Sequence, residues 1–417
     1  TTTFRPPYTP ISLGSIAGDA RGNLFKATRR TAIDGWSEGN GAHWEPVADW
    51  RRPYTYIRKG ETIPAAVKRE VLNARTKVGL LDASTLGKII VKGPDAAKFL
   101  DLIYTNLISN LKVGKCRYGL MCNENGFLFD DGVVVRLDED TFICHTTSGG
   151  SDRVFAWMEE WIQTEWWNLK VFISNVTEKF SQLAIVGPNA RNVLENVFER
   201  SFSSQDLPFM GMLTCNYENV DVNIYRISFS GELSYEVAVP TKTGLNFWEK
   251  CLDIGSKFGI QPYGTEALHV MRAEKGFIMI GDETDGTVIP QDLNLDWAVS
   301  KKKKDFIGKR AHERTFMTAS NRKRLVGLLT EDSKIVLPDG AHAVSNTEDS
   351  SSGKIIGYVT STYFSPTLDR SIALGLIDGG LDRIDDEIDF PISDSTVIKA
   401  RIVDPVFYDP EGSKQHE

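Results

Sequence analysis

The 417-residue sequence lacks the patterns of a membrane protein, a metalloprotein or a dinucleotide-binding protein. No apolar run is long enough to span a bilayer, and TTTFRPPYTPISLG at the start lacks the basic and apolar regions of a signal peptide. The six histidines form no HxxxH or HxH pair, so we expect no metal site. GNGAHW at 39–44 lacks the third glycine and the flanking strand and helix of a dinucleotide fingerprint, so we expect neither NAD nor flavin on this chain.

The number of cysteines and the net charge narrow the class of protein further. The five cysteines are odd in number, include no CxxC pair and lie mostly among apolar residues, which favours reduced core thiols in a cytoplasmic protein. The formal net charge of −8 disfavours a nucleic-acid surface. We therefore expect a globular protein with neither nucleic acid nor membrane among its partners.

Changes in residue composition and in hydrophobic periodicity divide the chain into three predicted regions. Residues 1–60 are rich in Gly, Pro, Trp and Arg without periodicity and are predicted to form an extended arm. Residues 61–322 have mixed patterns that predict an α+β domain, beginning with a helix over 63–81. Residues 323–417 alternate short strands with Gly, Pro, Asp and Ser turns, which predicts a small β-barrel with an exposed loop at 345–353.

The α+β region contains two similar sequence segments. IVKGPDA at 90–96 precedes an amphipathic helix at about 97–104, and AIVGPNA at 184–190 precedes another at 191–198. In both, a strand meets Gly-Pro and an Asp or Asn caps the helix. This predicts two related lobes, and the alternative is coincidence of a common strand–turn–helix signal.

The stretch 117–135, RYGLMCNENGFLFDDGVVV, reads as a hairpin with two adjacent carboxylates in its second strand. Strand alternation places Asp131 with Phe129 and Val133, and Asp130 with Leu128. Neither face is polar, and an unpaired carboxylate among apolar groups is costly or has a raised pKa. The pair is therefore either a set of paired or solvated acids or a perturbed carboxylate aimed into a pocket.

Two further charged residues have the same ambiguity. Glu236 lies in the apolar strand SYEVAV. It is either an acid on the exposed face of the strand or a residue that lines a pocket. Arg272, in a helix predicted over 264–277, is either a salt-bridge partner or a guanidinium that contacts a carboxylate or a heterocycle.

Many motifs, in order, resemble the folate-dependent aminomethyltransferase (glycine cleavage T-protein) family, over about residues 24–410. They are LDASTLGKI, RYGLMCNENGFLFDDGVV, SFSGELSYE, MRAEKGF, DGTVIPQD, KDFIGKR and GYVTSTYFSPTL. RRTAIDGW, DGTVIPQD and VFYDPEG are closest to the carboxy-terminal half of the alpha subunit in the sarcosine-oxidase branch. The resemblance implies duplicated ferredoxin-like lobes that form a folate-binding core, with a C-terminal barrel. The large amino-terminal half of such subunits is absent from this sequence, so we expect a fragment or a stand-alone relative.

The resemblance also implies roles for single residues. Asp131 matches the carboxylate near N10 of tetrahydrofolate and is the candidate catalytic residue, and Glu236 matches the residue that pairs with the pterin edge. The remaining matches to the cofactor pocket are Leu86, Tyr118, Thr147, Phe229 and Arg272. Phe229 replaces a tyrosine and Thr147 replaces an asparagine of the T-protein. These two departures weaken the case for a T-protein activity in this sequence and fit the sarcosine-oxidase branch.

The resemblance implies tetrahydrofolate-dependent one-carbon transfer that forms 5,10-methylenetetrahydrofolate from the iminium or formaldehyde released in sarcosine oxidation. Flavin and NAD would then lie on partner subunits or missing segments. Two alternatives stay open. The chain is a stand-alone aminomethyltransferase or folate-dependent demethylase, or it is a non-catalytic folate-binding module that docks other subunits.

Overall fold

The computed structural model describes residues 27–345 and 353–417, and most of the loop predicted at 345–353 lies outside these ranges. The α-helices are α1 Asp34–Gly39, α2 Ile63–Thr76, α3 Ala96–Ile103, α4 Ser151–Thr164, α5 Ala190–Phe198, α6 Gly244–Gly255, α7 Thr265–Glu274 and α8 Ser413–His416. The strands before the barrel are β1 Ala42–Val47, β2 Trp50–Tyr56, β3 Val78–Asp82, β4 Gly87–Lys92, β5 Lys115–Cys122, β6 Leu128–Asp138, β7 Thr141–Thr146, β8 Phe172–Asn175, β9 Phe180–Val186, β10 Met212–Tyr217, β11 Val220–Tyr225, β12 Ser234–Pro240 and β13 Ile260–Pro262. The barrel strands are β14 Lys323–Thr330, β15 His342–Val344, β16 Ile355–Ser365, β17 Arg370–Asp378, β18 Glu387–Ser393 and β19 Thr396–Val403. None of the helices in the described ranges is long and apolar enough to cross a membrane.

Two sheets with matching strand orders form the core of the α+β region. The first runs β5-β6-β7-β4-β8, and the second runs β10-β11-β12-β9-β3-β13. In each, the strand that enters the Gly-Pro turn is followed by a helix and then by a three-strand antiparallel meander whose last strand pairs back on it. The predicted duplication of an α+β lobe is therefore confirmed.

The two sheets face each other through a shared apolar layer. Val133, Val135 and Ile143 of the first sheet pack with Tyr225 and Ala238 of the second. Strand alternation places Asp131 on the same face of β6 as Val133, and Glu236 on the same face of β12 as Ala238. The space between the lobes therefore receives the side chains of both candidate acids.

The predicted helix over 63–81 is too long at its C-terminal end. The helix α2 stops at Thr76, and Val78–Asp82 form a strand that pairs with β9 and β13. All five residues of that strand are buried, so strand pairing in the sheet outweighs the helical period of the sequence.

The described part of the predicted arm, residues 27–60, contains secondary structure. It forms α1 and the antiparallel hairpin β1-β2, and Trp36 packs against Trp248 of the second lobe with ring centroids 5.2 Å apart. Pro46 and Pro53 interrupt both strands, which explains why no alternating pattern predicts them.

The C-terminal region is a closed six-stranded barrel in the order β14-β17-β16-β15-β18-β19. Its interior is filled by apolar side chains such as Val326, Val359 and Phe390. The predicted barrel is confirmed, and it packs against α7 of the core through β16 and β17.

Candidate functional site between the two lobes

The acid pair lies in β6, next to a β-bulge that shifts the predicted alternation. Met121 pairs with Asp130 but Cys122 pairs with Leu128, so Phe129 is the extra residue. Phe129 packs against Trp157 on the outer face, with ring centroids 4.7 Å apart. The prediction that Phe129 shares a face with Asp131 is therefore wrong, because the bulge turns its side chain away from the lobe interface.

Asp131 is half-buried and is bonded to a tyrosine. Tyr118 on β5 donates its hydroxyl to Asp131 Oδ2 at 2.5 Å. Burial, followed by the neighbouring charge of Asp130, raises the pKa of Asp131 to about 7. A carboxylate whose pKa lies near neutral pH is able both to accept and to release a proton under ordinary conditions.

Asp130 points to the opposite side of β6 and is completely buried. Its carboxylate accepts hydrogen bonds from the backbone N–H groups of Thr147 and Asp131 and from the Thr147 hydroxyl, at 2.8–3.2 Å. Burial raises its pKa to about 6 despite these bonds. Thr147, predicted to lie in the cofactor pocket, therefore holds Asp130 behind the strand that carries Asp131.

Glu236 lies across the interface and is 9% exposed. Its Oε2 accepts a hydrogen bond from the side-chain amide of Gln182, and burial raises its pKa. Within the described residues, no hydrogen bond reaches its other oxygen. The hydroxyls of Tyr225 and Tyr263 are buried nearby without partners in the described part of the chain. The alternative of an exposed strand acid is therefore wrong for Glu236.

Leu86 and Phe229 are partly exposed apolar side chains. Leu86 precedes β4 and packs against a cluster that includes Val71 and Tyr263. The ring of Phe229 lies nearly parallel to that of Phe277, with centroids 6.2 Å apart and an interplanar angle of 18°. Both side chains retain some exposure, as residues that contact a planar ligand require.

Arg272 is buried at the junction between the core and the barrel. It forms ion pairs with Glu283 at 2.7 Å and Asp282 at 3.0 Å, and it donates a hydrogen bond to Ser361 of β16. Glu283 in turn accepts bonds from the barrel hydroxyls of Thr360 and Ser361. The salt-bridge interpretation of Arg272 is therefore confirmed by its contacts, and its guanidinium joins two domains.

Three residues at the interface did not follow from the sequence. Lys88 is completely buried and donates to the carbonyl oxygens of Ser84 and Leu86, and burial lowers its pKa to about 8. His145 is buried on β7. Trp297 is 68% exposed, with its ring centroid 6.1 Å from that of Tyr118. Lys88 and His145 interrupt the apolar strands GKIIV and FICHT, and that signal resembles the one that identified Glu236.

These features define a class of protein, in which two related lobes face each other across buried acids and a barrel is appended. The corresponding family models match the chain. Residues 33–303 match the GCVT N-terminal domain, and residues 323–409 match the glycine cleavage T-protein C-terminal barrel domain. The first match covers more than half of the chain. The chain therefore belongs to the glycine cleavage T-protein family, as the sequence motifs predict.

Two groups of relatives share the sequence. The chain is 46% identical to sarcosine oxidase subunit alpha of Corynebacterium sp. strain U-96, over all of this chain and 43% of that protein. It is 33% identical to an aminomethyltransferase of Thermosipho melanesiensis, over 88% of this chain and 94% of that protein. The chain thus spans less than half of the length of the sarcosine oxidase subunit.

A solved relative has the same fold. The crystal structure of the glycine cleavage system aminomethyltransferase T from Bartonella henselae superposes with a TM-score of 0.79 at 26% identity. The match covers 91% of this chain and 98% of that chain. The core and the barrel are therefore shared with a protein of the family.

Proposed function

We propose that this chain binds tetrahydrofolate between its lobes and forms 5,10-methylenetetrahydrofolate from an iminium or formaldehyde. The observation that carries the proposal is Asp131, a half-buried carboxylate bonded to Tyr118 whose pKa is raised to about 7. It lies on the sheet face that meets the lobe with Glu236. The family assignment supports folate as the cofactor.

The residues of the second lobe fit a pterin. A pterin edge presents two adjacent N–H donors, and a carboxylate accepts two parallel hydrogen bonds. Glu236 has an oxygen without a partner in the described residues, and the nearby Tyr225 and Tyr263 hydroxyls are also unpaired. Leu86 and Phe229 supply apolar surface for a planar ring, while Arg272 and Thr147 act from behind the site, through the barrel junction and through Asp130.

Asp131 is the residue to which we assign the proton transfer. Tetrahydrofolate supplies the nucleophilic nitrogens for the incoming carbon. The Asp131 carboxylate orients an amine by accepting its N–H, takes the proton as the nitrogen attacks, and stabilises positive charge next to it. Tyr118 keeps that carboxylate in place through the 2.5 Å hydrogen bond, while burial and, after it, the charge of Asp130 keep the pKa of Asp131 high.

The relatives support two candidate sources of the one-carbon unit. The 46% identity to sarcosine oxidase subunit alpha supports sarcosine oxidation as the supplying reaction, with flavin and NAD on partner subunits or on the rest of a longer subunit. The matches to aminomethyltransferases over nearly their full length support a second candidate, transfer by this chain alone. Turnover of the isolated chain with added folate would favour the second candidate.

The first experiment is calorimetric titration of the chain with tetrahydrofolate. We expect micromolar binding that Glu236→Ala weakens by about 2 kcal/mol or more, the scale of a buried charged hydrogen bond. Asp221→Ala, which removes an exposed acid from the adjacent strand β11, is the matched control and should bind as the wild type does. Failure of the folded wild-type chain to bind would contradict the proposal.

A second experiment separates binding from chemistry. Asp131→Ala should abolish most methylenetetrahydrofolate formation while the folate affinity changes by less than about tenfold, or about 1.4 kcal/mol. Asp138→Ala removes an exposed acid at the end of the same strand and should leave both quantities unchanged. Loss of affinity together with activity in Asp131→Ala would show that Asp131 is structural.

A further inference from the structure

A buried chain of hydrogen bonds crosses the lobe interface and ends at Glu236. His145 on β7 faces the backbone carbonyl oxygen of Val133 through Nδ1 at 3.0 Å and the side-chain oxygen of Gln182 through Nε2 at 3.2 Å. The amide nitrogen of Gln182 on β9 donates to Glu236 on β12. Both His145 and Gln182 are buried, so water does not substitute for a missing partner.

The orientation of the Gln182 amide determines which of the neighbouring groups, His145 and Glu236, must carry a proton. With the Gln182 amide in this orientation, two oxygen atoms face the two ring nitrogens of His145, so a fully bonded ring donates from both nitrogens and is an imidazolium. In that arrangement Gln182 donates to an ionised Glu236. A neutral His145 has one donor only. Its bonds are satisfied only if Gln182 turns its amide by about 180°, which the similar sizes of the amide oxygen and nitrogen permit.

The turned amide places an oxygen against Glu236. That carboxyl group must then carry a proton in order to donate. The hydrogen-bonded network therefore has two fully bonded states without a net charge, one with neutral His145 and protonated Glu236, the other with charged His145 and ionised Glu236. A neutral His145 with an ionised Glu236 leaves one acceptor facing another, and a charged His145 with a protonated Glu236 leaves a buried charge without a counter-charge in the pair.

Burial favours the neutral state when no ligand is bound. It lowers the pKa of His145 to about 4, with the nearby charge of Lys88 acting in the same direction, and it raises the pKa of Glu236. A ligand that presents two N–H donors favours the ionised carboxylate instead, because only that form accepts both.

We propose that His145 holds the proton that Glu236 gives up when a ligand presents hydrogen-bond donors to its carboxylate. The O–H bond of Glu236 breaks, an N–H bond forms at His145 Nε2, and Gln182 turns its amide, with no net exchange of protons with solvent. His145 is a positioning residue in this scheme. The inference rests on the proposed function of Glu236 and adds the means by which a buried acid becomes a pterin acceptor.

The other ionisable groups around these residues differ in whether they titrate below about pH 7. The pKa of Lys88 is lowered to about 8, so it stays protonated. Burial raises the pKa values of Tyr225, Tyr263 and Cys116, which stay neutral. Asp82, whose pKa burial also raises, is held by hydrogen bonds to Thr31 and Ser84. On the facing strand, Asp130 and Asp131 do titrate in this range, so each variant is compared with the wild type at the same pH.

Nitrogen NMR of the full chain with ¹⁵N-labelled histidine tests the proposal directly. We expect His145 to be neutral at about pH 7 in the free protein and to become an imidazolium when 5-formyltetrahydrofolate, a stable probe with the same pterin edge, is added. Binding of this probe with a ring that stays neutral would overturn the proposal.

A second comparison needs no ligand. Glu236→Gln removes the acid, so His145 should titrate about one pH unit or more lower than in the wild type. Identical titration of His145 in the two proteins would overturn the pairing. If the wild type fails to bind the probe, the proposed function is wrong, and this comparison still decides whether His145 and Glu236 share a proton.

Calorimetry in two buffers of different ionisation enthalpy measures how many protons the protein releases when it binds the probe. His145→Phe should release up to one more proton per bound 5-formyltetrahydrofolate than the wild type, and its dissociation constant should rise up to tenfold more per unit fall in pH. His312→Phe, which removes a histidine bonded to the carbonyl oxygen of Gly126, is the matched control and should behave as the wild type. Equal proton counts in wild type and His145→Phe would contradict the proposal.

Discussion

Replacing Asp131 by Asn should stabilise the protein at alkaline pH. The pKa of this carboxyl is raised from 3.8 to about 7, first by burial and then by Asp130. A raised acid pKa means that the folded state prefers the protonated form, so the stability contributed is present below the unfolded pKa and is lost as pH rises through the folded pKa. The loss therefore falls between about pH 4 and pH 8. Asparagine does not ionise and avoids it, while its side-chain oxygen still accepts the Tyr118 hydroxyl.

The magnitude follows from the size of the pKa shift. Three pH units correspond to about 4 kcal/mol. Asp131 is partly exposed and interacts with a second acid, so about half of that value, about 2 kcal/mol, is the expected gain in the free energy of unfolding at pH 8. The gain should approach zero at about pH 4, where the wild-type side chain is protonated in the folded state.

Urea unfolding of wild type and variant at a series of pH values measures this difference. Asp130→Asn is the comparison in which lost hydrogen bonds oppose the gain from removing a raised pKa, so its net gain at pH 8 should be smaller than that of Asp131→Asn. The Asp130 carboxylate accepts three hydrogen bonds in a completely buried position, and an amide nitrogen there faces donors. If Asp131→Asn destabilises the protein equally at pH 4 and pH 8, the raised pKa of Asp131 is not its dominant property.

Three other changes have distinct expected outcomes. Tyr118→Phe removes a hydrogen bond that lowers the pKa of Asp131, so the acidic limb of the pH–activity profile should move up by about one pH unit, and an unmoved limb would contradict the assignment. Arg272→Met leaves a buried carboxylate unpaired at the barrel junction and should lower the free energy of unfolding by about 3–5 kcal/mol in denaturant melts; a loss below about 1 kcal/mol would show that the ion pair is dispensable. Gly132→Ala places a Cβ atom 2.0 Å from the carbonyl oxygen of His145 on the neighbouring strand β7, so circular-dichroism melts should show a clear loss of thermal stability, and a wild-type melting temperature would mean that β6 and β7 move apart easily at this point.

The candidate site residues that stand out in the sequence are those whose types conflict with their neighbours. Glu236 and the acid pair stand out because carboxylates are rare in apolar strands, and the structure buries Asp130 and Glu236 and leaves Asp131 half-exposed. Their consequences for pKa could not be worked out from spacing. Asp130 and Asp131 are neighbours in sequence, yet one is bound by Thr147 behind the sheet and the other meets Tyr118 in front of it.

By itself, the amino-acid sequence determined many of the element types, the duplicated lobe, the barrel and the family, because local periodicity, turn residues and ordered motifs are properties of short segments. Only the tertiary structure decided where α2 ends, how the bulge at Phe129 turns the acid strand, and that Arg272 joins the barrel to the core. It also decided the chain from His145 through Gln182 to Glu236. Each of these depends on partners far apart in sequence, and burial then makes every donor, acceptor and charge depend on those partners.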